Sequence, residues 1–335
     1  MTLPADRGRS PVPAVARRDA SVVERRATIA GHGTSYGEGP NNGLPLVLLH
    51  GQGSRWEDYR RVLPALSQDH HVYAVDVYGH GRSDRLPPQQ YSNARVASLL
   101  AELLETVVGR PAMVSGHSSG GLLALWLAAY RPDLVRGLLL EDPPLFSSTP
   151  PRAANTTGGV LPRLAAAYLR DRPGGDFQRY YVENSDYFAF FGPFAPRLTR
   201  YSLRWIDRHP GEPLRIFFLP PLVNVYFEGL VHYDPAFGAA WDDGSWYRGF
   251  DTAAALAAVK VPTTLIHTTW WFDKHGTWYS DDGILMAAMD GDDAARTAKL
   301  LGGPEIITVS SGHLVHFERP EDYLRAADRL TAEIA

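Results

Sequence analysis

One serine in this chain stands where it could act as a nucleophile. Gly116-His117-Ser118-Ser119-Gly120 follows an apolar run and opens a stretch with the character of a helix. A G-x-S-x-G pattern carries meaning in that strand–turn–helix context. A serine hydroxyl is a poor nucleophile and must be presented to a base and to an electrophile. A strained turn lifts it out of the backbone. Glycines two residues to either side let backbone pass where a Cβ would clash. The following helix aims its free N–H groups at the place where negative charge develops. Alone, the pattern fits equally a strand–helix connection with small residues and no chemistry.

Such a serine needs a base, an acid that orients the base, and oxyanion donors. His313 is the candidate base, in Ser310-Ser-Gly-His-Leu-Val-His-Phe-Glu318 just past the last expected strand. His316 is second to it, its other reading being a structural residue under the closing helix. Asp142 and Asp273 compete for the acid, each following a later strand. The segment around Asp273, Trp270 to Asp281, is long and aromatic, a poor place to fix an imidazole tautomer, so Asp142 is favoured. Its alternative is to cap the segment that starts at Pro143; that of Asp273 is a solvated loop acid. Two backbone N–H groups should bind the oxyanion. Ser119 supplies one at the helix start. Gln52 supplies the other, from His50-Gly-Gln-Gly53, where Gly51 and Gly53 let the chain turn back toward the serine and His50 organises the loop.

Alternating elements are needed to carry these residues to one edge. Short apolar runs read as buried strands: Leu44 to His50, His71 to Asp76, Pro111 to Ser115 with its turn, Val135 to Asp142, Pro262 to His267 and Glu305 to Ser310. Val22 to Ile29 and a short strand near Tyr36 precede them. Helical spacing runs through Arg55 to Ser67, Asn93 to Val108, Ser119 to Tyr130, Asp251 to Lys260, Asp292 to Leu301 and Glu321 to Ile334. Strands separated by helices predict a parallel, doubly wound sheet. The carboxyl edge of such a sheet is where a site is expected. Thr268 to Met289 reads as a long loop. From Pro143 to about Gly249 the alternation stops, and aromatics are dense.

Bulk properties remove several function classes. The chain has 335 residues, 44% hydrophobic and 21% charged, with a net charge of −4. No basic stripe emerges, so nucleic acid is not an expected partner. With no cysteine there is no disulfide and no thiolate site, in keeping with the cytoplasm. No apolar run approaches the ~20 residues of a membrane span. Residues 1–20, rich in proline and arginine, read as a flexible leader and not as a secretory signal. His70, His71, His267 and His275 lack ligand spacing, so no metal and no cofactor is expected.

Most aromatics of the 143–249 segment should pack its own core. A few, among them Phe188, Phe191 and Trp241, with Trp246, Trp270 and Trp271, could line a large apolar pocket. His232 could hydrogen-bond a substrate there, and Gly51 could lie against it. Phe188 to Phe191 could instead meet a partner chain.

The motifs His50-Gly-Gln-Gly53, Asp76 with Gly79-His-Gly-Arg-Ser-Asp84, Gly116-His-Ser-Ser-Gly120 and Gly312-His-Leu-Val-His-Phe-Glu-Arg-Pro320, in this order, resemble the α/β-hydrolase superfamily. The resemblance implies a mainly parallel eight-stranded sheet with one antiparallel strand near the start. It also implies a helical lid after the sixth strand, dividing the chain into a core of 21–142 and 250–335 and a lid of 143–249. Many members carry the acid after the seventh strand in a Gly-x-x-Asp turn, which this chain lacks. A minority carry it after the sixth, where Asp142 stands. A serine at the elbow departs from epoxide hydrolases and dehalogenases, which use a carboxylate. Ser118-Ser-Gly-Gly121, Glu141-Asp-Pro-Pro-Leu-Phe146 and the insert together are similar to bacterial zearalenone lactonase-type hydrolases.

The expectation is therefore a cofactor-independent serine hydrolase acting on a bulky hydrophobic ester or lactone. A carbon–carbon bond hydrolase or perhydrolase on the same residues is the alternative. A ligand-sensing receptor is the alternative of another class. A homo-oligomer is left open.

Overall fold

The computed structural model describes residues 21–335, so the leader expected over 1–20 lies outside the described residues. Eight strands form one sheet: β1 Val23–Ile29, β2 His32–Glu38, β3 Leu44–Leu49, β4 His70–Val75, β5 Ala112–His117, β6 Val135–Glu141, β7 Thr263–Thr268 and β8 Glu305–Val309. Their order is β1-β2-β4-β3-β5-β6-β7-β8. β2 is antiparallel to both neighbours, and every other pairing is parallel. The predicted eight-stranded, doubly wound α/β-hydrolase sheet is thus the observed one.

The central strands are continuously apolar because both faces are covered. Side chains alternate across the sheet. Val47 and Leu49 face one hydrophobic cluster with Val114, Leu138 and Leu140. Leu46 and Leu48 face the other with Met113, Leu139 and Ile266. Helices α1 (Leu63–Asp69), α2 (Asn93–Leu103) and α3 (Ser119–Tyr130) follow β3, β4 and β5. α2 and α3 pack on the first face, α1 on the second.

After β6 the chain leaves the sheet. It forms α4 (Val160–Asp171), α5 (Phe177–Asn184), α6 (Ala195–Arg208), α7 (Pro221–Glu228) and α8 (Pro235–Asp242) before α9 (Thr252–Ala258) leads back to β7. Buried Tyr168, Phe177, Phe227, Phe237, Trp241 and Trp246 fill the insert, continuous with the first sheet cluster. Polar ties fasten it to the sheet's carboxyl edge. The Tyr91 hydroxyl donates to Asp234 at 2.7 Å, and Asp234 N–H donates to the Gly79 carbonyl at 2.7 Å. Arg55 pairs with Glu228 at 2.7 Å. The chain closes with α10 (Trp270–His275), α11 (Gly291–Leu300), α12 (Val315–Glu318) and α13 (Pro320–Ile334).

Two expected segments differ. The helix of Arg55 to Ser67 is split into a 3₁₀ turn, Trp56–Arg61, and α1. Pro64 stands in the first turn of α1, where its missing N–H costs nothing, but it cannot continue a preceding helix. The long loop of Thr268 to Met289 contains α10, closed by Gly276 at φ 68. Its start, Trp270-Trp-Phe-Asp, has no proline or glycine to stop a helical turn.

β5 and α3 cross β3 with no spare room. A Cβ on Gly120 would lie 2.2 Å from the Leu49 carbonyl oxygen and 2.6 Å from that of His50. Backbone cannot swing away as a side chain can. Gly120→Ala is expected to lower stability by about 1–3 kcal/mol, read as a lower urea midpoint.

Candidate active site

Ser118 sits between β5 and α3 with φ 52 and ψ −121, a backbone that L-residues rarely adopt. Strain of this kind costs about 1–3 kcal/mol and persists only where the surroundings enforce it. The enforcement is close contact. A Cβ on Gly116 would come within 2.3 Å of the Gly120 carbonyl oxygen, and one on Gly51 within 2.9 Å of Ser118 Cβ. The loop after β3 therefore runs directly beside the serine. His50 pins that loop: its Nδ1–H donates to the Gly51 carbonyl at 2.8 Å, and its Nε2 accepts from Val77 N–H at 3.0 Å. Burial pulls the His50 pKa down to about 4, so it remains a neutral strut. Among the described residues the Gln52 N–H meets no backbone or side-chain acceptor. The Ser119 N–H, first of its helix, has no acceptor within that helix. Ser119 directly follows Ser118, and Gln52 follows Gly51, which packs against Ser118.

Asp142 follows β6 with φ 43 and is fully buried. Its Oδ2 accepts the Nδ1–H of His313 at 2.7 Å and the Thr268 hydroxyl at 3.1 Å. A carboxylate can only accept, so the His313 proton is on Nδ1 and Nε2 is left with its lone pair. Burial acts against the imidazolium. The Asp142 hydrogen bond and charge, with the charges of Glu141 and Glu318, outweigh it and hold the His313 pKa above its ordinary value. Thr268, the last residue of β7, thus supports Asp142.

The backbone of His313 is clamped on every side. Glu318 accepts from Gly312 N–H at 3.0 Å and from Leu314 N–H at 3.3 Å. His117, directly before Ser118, donates its Nε2–H to the His313 carbonyl at 3.0 Å. Its ring centroid is 4.6 Å from that of His313. Burial first, then the neighbouring imidazoles, hold His117 well below the ordinary histidine pKa, so it stays neutral. Glu141, adjacent to Asp142, accepts from His316 N–H at 2.8 Å and from its Nδ1–H at 2.9 Å. His316 is buried against Tyr59, with ring centroids 4.3 Å apart, in a second acid–imidazole pair.

The remaining expected residues divide. Asp273 does not approach His313: it lies on the exposed side of α10 and accepts from the Thr269 hydroxyl at 3.1 Å. Its place in a helix turns it outward, so the runner-up acid is corrected to a surface residue. Phe188 is buried against Tyr187 and Phe227, and Trp241 stacks on Trp246 at 4.8 Å, so both are packing residues of the insert. Phe191 packs on Phe188 at 6.4 Å. His232 is exposed, among the charges of Arg55, Arg82 and Arg85. Trp270 and Trp271 are half-buried on α10, and Trp271 meets Phe190 of the insert at 5.6 Å.

Residues of the insert that the pattern did not separate from other aromatics lie near the site. Tyr226 is 37% exposed, and burial with the charges of Glu318 and Asp142 pushes its pKa up. Tyr187 lies 6.0 Å from it, centroid to centroid. Leu161 and Leu230 cover the oxyanion loop, where a Cβ on Gly53 would meet them at 3.1 and 3.5 Å.

Similarity to known proteins agrees with this geometry. A family profile described as the alpha/beta hydrolase fold matches residues 45–320. The chain belongs to the alpha/beta hydrolase family. This alpha/beta hydrolase is 31% identical over 189 residues to the 2-hydroxymuconate semialdehyde hydrolase of Pseudomonas sp. strain CF600, covering 53% of the chain and 67% of the relative. It is 33% identical over 121 residues to a soluble epoxide hydrolase of Corynebacterium sp. strain C12, covering 36% of the chain and 42% of the relative. The fold matches the enol-lactonase of Burkholderia xenovorans LB400 with a TM-score of 0.65 at 17% identity, covering 92% of the chain and all of that structure.

If His313 must be neutral to accept a proton, activity rises with pH through its raised pKa. The acid limb of kcat/KM is expected above the ordinary histidine value of 6.5. Asp142→Asn should move that limb to lower pH and reduce kcat by roughly 10⁴-fold. Asp273→Asn should leave both unchanged. A pH–rate profile of the two variants checks this, and the reverse result would reassign the acid.

Proposed function

We propose that this alpha/beta hydrolase is a serine hydrolase that opens a carboxylic ester or lactone through an acyl-enzyme. The observation that carries this reading is the 2.7 Å bond from His313 to Asp142, which leaves Nε2 as the free base nitrogen on the serine's edge of the sheet. In this reading Ser118 Oγ attacks the carbonyl carbon as His313 takes its proton. The Gln52 and Ser119 N–H groups bind the oxyanion. Collapse expels the alcohol, protonated by His313. Water, deprotonated by the same imidazole, then releases the acid. Asp142 holds the ring and stabilises the imidazolium.

The insert would act as a lid whose tyrosines and leucines select a bulky, mostly apolar substrate. A macrocyclic resorcylic lactone of the zearalenone type fits this description. After ring opening its alcohol stays tethered to the acyl group, so both ends leave in one product. A carbon–carbon bond hydrolase is the second reading, favoured by the similarity to the semialdehyde hydrolase.

Ser118→Ala is expected to reduce turnover of p-nitrophenyl esters by roughly 10⁴-fold while the protein stays folded. Unchanged turnover would refute the mechanism. A panel of esters, macrocyclic lactones and vinylogous 1,5-diketones, read by mass spectrometry, separates the two readings by which bond is cut.

Tyr226 has no hydrogen-bond acceptor among the described residues, so its hydroxyl is free to meet substrate. Tyr226→Phe should raise KM about three- to tenfold with little change in kcat. Its melting temperature should match the parent's, since no protein bond is lost.

A further inference from the structure

α6 of the insert carries two opposed faces. Leu198, Ser202 and Ile206 are buried. Arg197, Arg200, Arg204 and Arg208 form a stripe on the opposite, exposed face. The stripe runs about 16 Å along the helix. Nearby acids are engaged elsewhere: Asp207 and Glu183 pair with Arg179, and Glu183 also with Arg172. Among the described residues no carboxylate forms an ion pair with any of the four stripe arginines. A shallow recess of about 450 Å³ opens between these arginines, Tyr201 and Trp205.

Exposed phenylalanines border the stripe. Phe217 is 83% exposed, Phe190 70%, Phe194 61% and Phe218 54%. Phe217 and Phe218 stand beside Tyr201 of α6, with ring centroids at 6.4 and 5.2 Å. Phe194 directly precedes the helix, and the Arg197 guanidinium lies 6.0 Å over its ring. Large exposed apolar residues in a group mark an interaction surface. Their combination with unpaired cations is unexpected in a chain of net charge −4.

We propose that this face of the insert docks on an anionic lipid bilayer. The arginines meet lipid phosphates, and the flanking phenylalanines enter the boundary between headgroups and acyl chains. Charge complementarity selects an anionic surface, and the aromatic rim selects one that rings can penetrate. No helix among the described residues is long and apolar enough to cross a membrane, so the contact is peripheral. Phe190 meets Trp271 of α10, with ring centroids 5.6 Å apart. The docking does not depend on the reaction assigned to Ser118.

The test is sedimentation of the full chain with vesicles of phosphatidylcholine alone or mixed in equal parts with phosphatidylglycerol. The parent should partition onto the anionic vesicles at low salt and be released by high salt. The double variant Arg200→Glu/Arg204→Glu should lose at least about tenfold in partition coefficient. Phe217→Ser/Phe218→Ser should also bind more weakly, at unchanged salt dependence. Both variants should keep parental turnover of a soluble ester, which shows that they are folded. Equal partition onto neutral and anionic vesicles, no partition, or an unaffected charge-reversed variant would overturn the proposal. So would binding of soluble polyglutamate by the parent without vesicle binding, which would assign the face to an acidic protein.

Discussion

The arrangement rests on a steric constraint at the end of β5. Ser118 holds φ 52 because three backbones converge there with no room for side chains. Gly116 faces the Gly120 carbonyl, Gly120 faces the Leu49 carbonyl, and Gly51 faces Ser118 itself. Strain in one residue is tolerable when close packing around it offers no relaxed alternative. The same closeness brings the loop after β3 within reach of the serine. One packing condition thus produces both the strained, half-buried serine and the closeness of the loop after β3. Asp142 also has positive φ, at 43, one strand away; the third such non-glycine among the described residues is Ala30, in the β1–β2 turn. Two of the three thus stand at the strand ends where the candidate chemistry lies.

His313 is positioned through its backbone as much as through its ring. The ring bonds to Asp142, but the peptide groups on either side of it end on Glu318, and its carbonyl receives the His117 N–H. His117 is covalently joined to Ser118. A shift of the base loop would therefore have to move the elbow with it. Glu141 ends β6 and Asp142 follows it directly, so one strand end holds both His316 and His313. Fixing a site through such supporting contacts keeps reacting groups in register more closely than loop geometry alone.

The period of the hydrophobic pattern made the sheet legible, because doubly buried strands are continuous apolar runs and their helices carry apolar stripes. Ser118, His313 and Asp142 were legible for the same reason: each follows a strand, and parallel strands end on one edge. The insert was not legible in this way. Its aromatics are numerous, and nothing in their spacing separates Phe188 and Trp241, which pack inward, from Tyr226, which stays partly exposed within the field of Asp142 and Glu318. That difference is set by how short helices cross, which sequence periodicity over eight residues does not encode. The arginine stripe escaped notice for a related reason. Arginines three and four residues apart become a stripe only once α6 is known to be a helix with Leu198 and Ile206 beneath it.

Placing the acid after β6 has a consequence for the rest of the edge. The exit of β7 no longer needs a tight turn that presents a carboxylate. Thr268 meets the remaining demand with one hydroxyl and one N–H directed at Asp142. The chain beyond it forms α10, whose Trp271 meets Phe190 of the insert with ring centroids 5.6 Å apart. An aromatic helix fits that position because the imidazole takes its orientation from Asp142, at the end of a different strand.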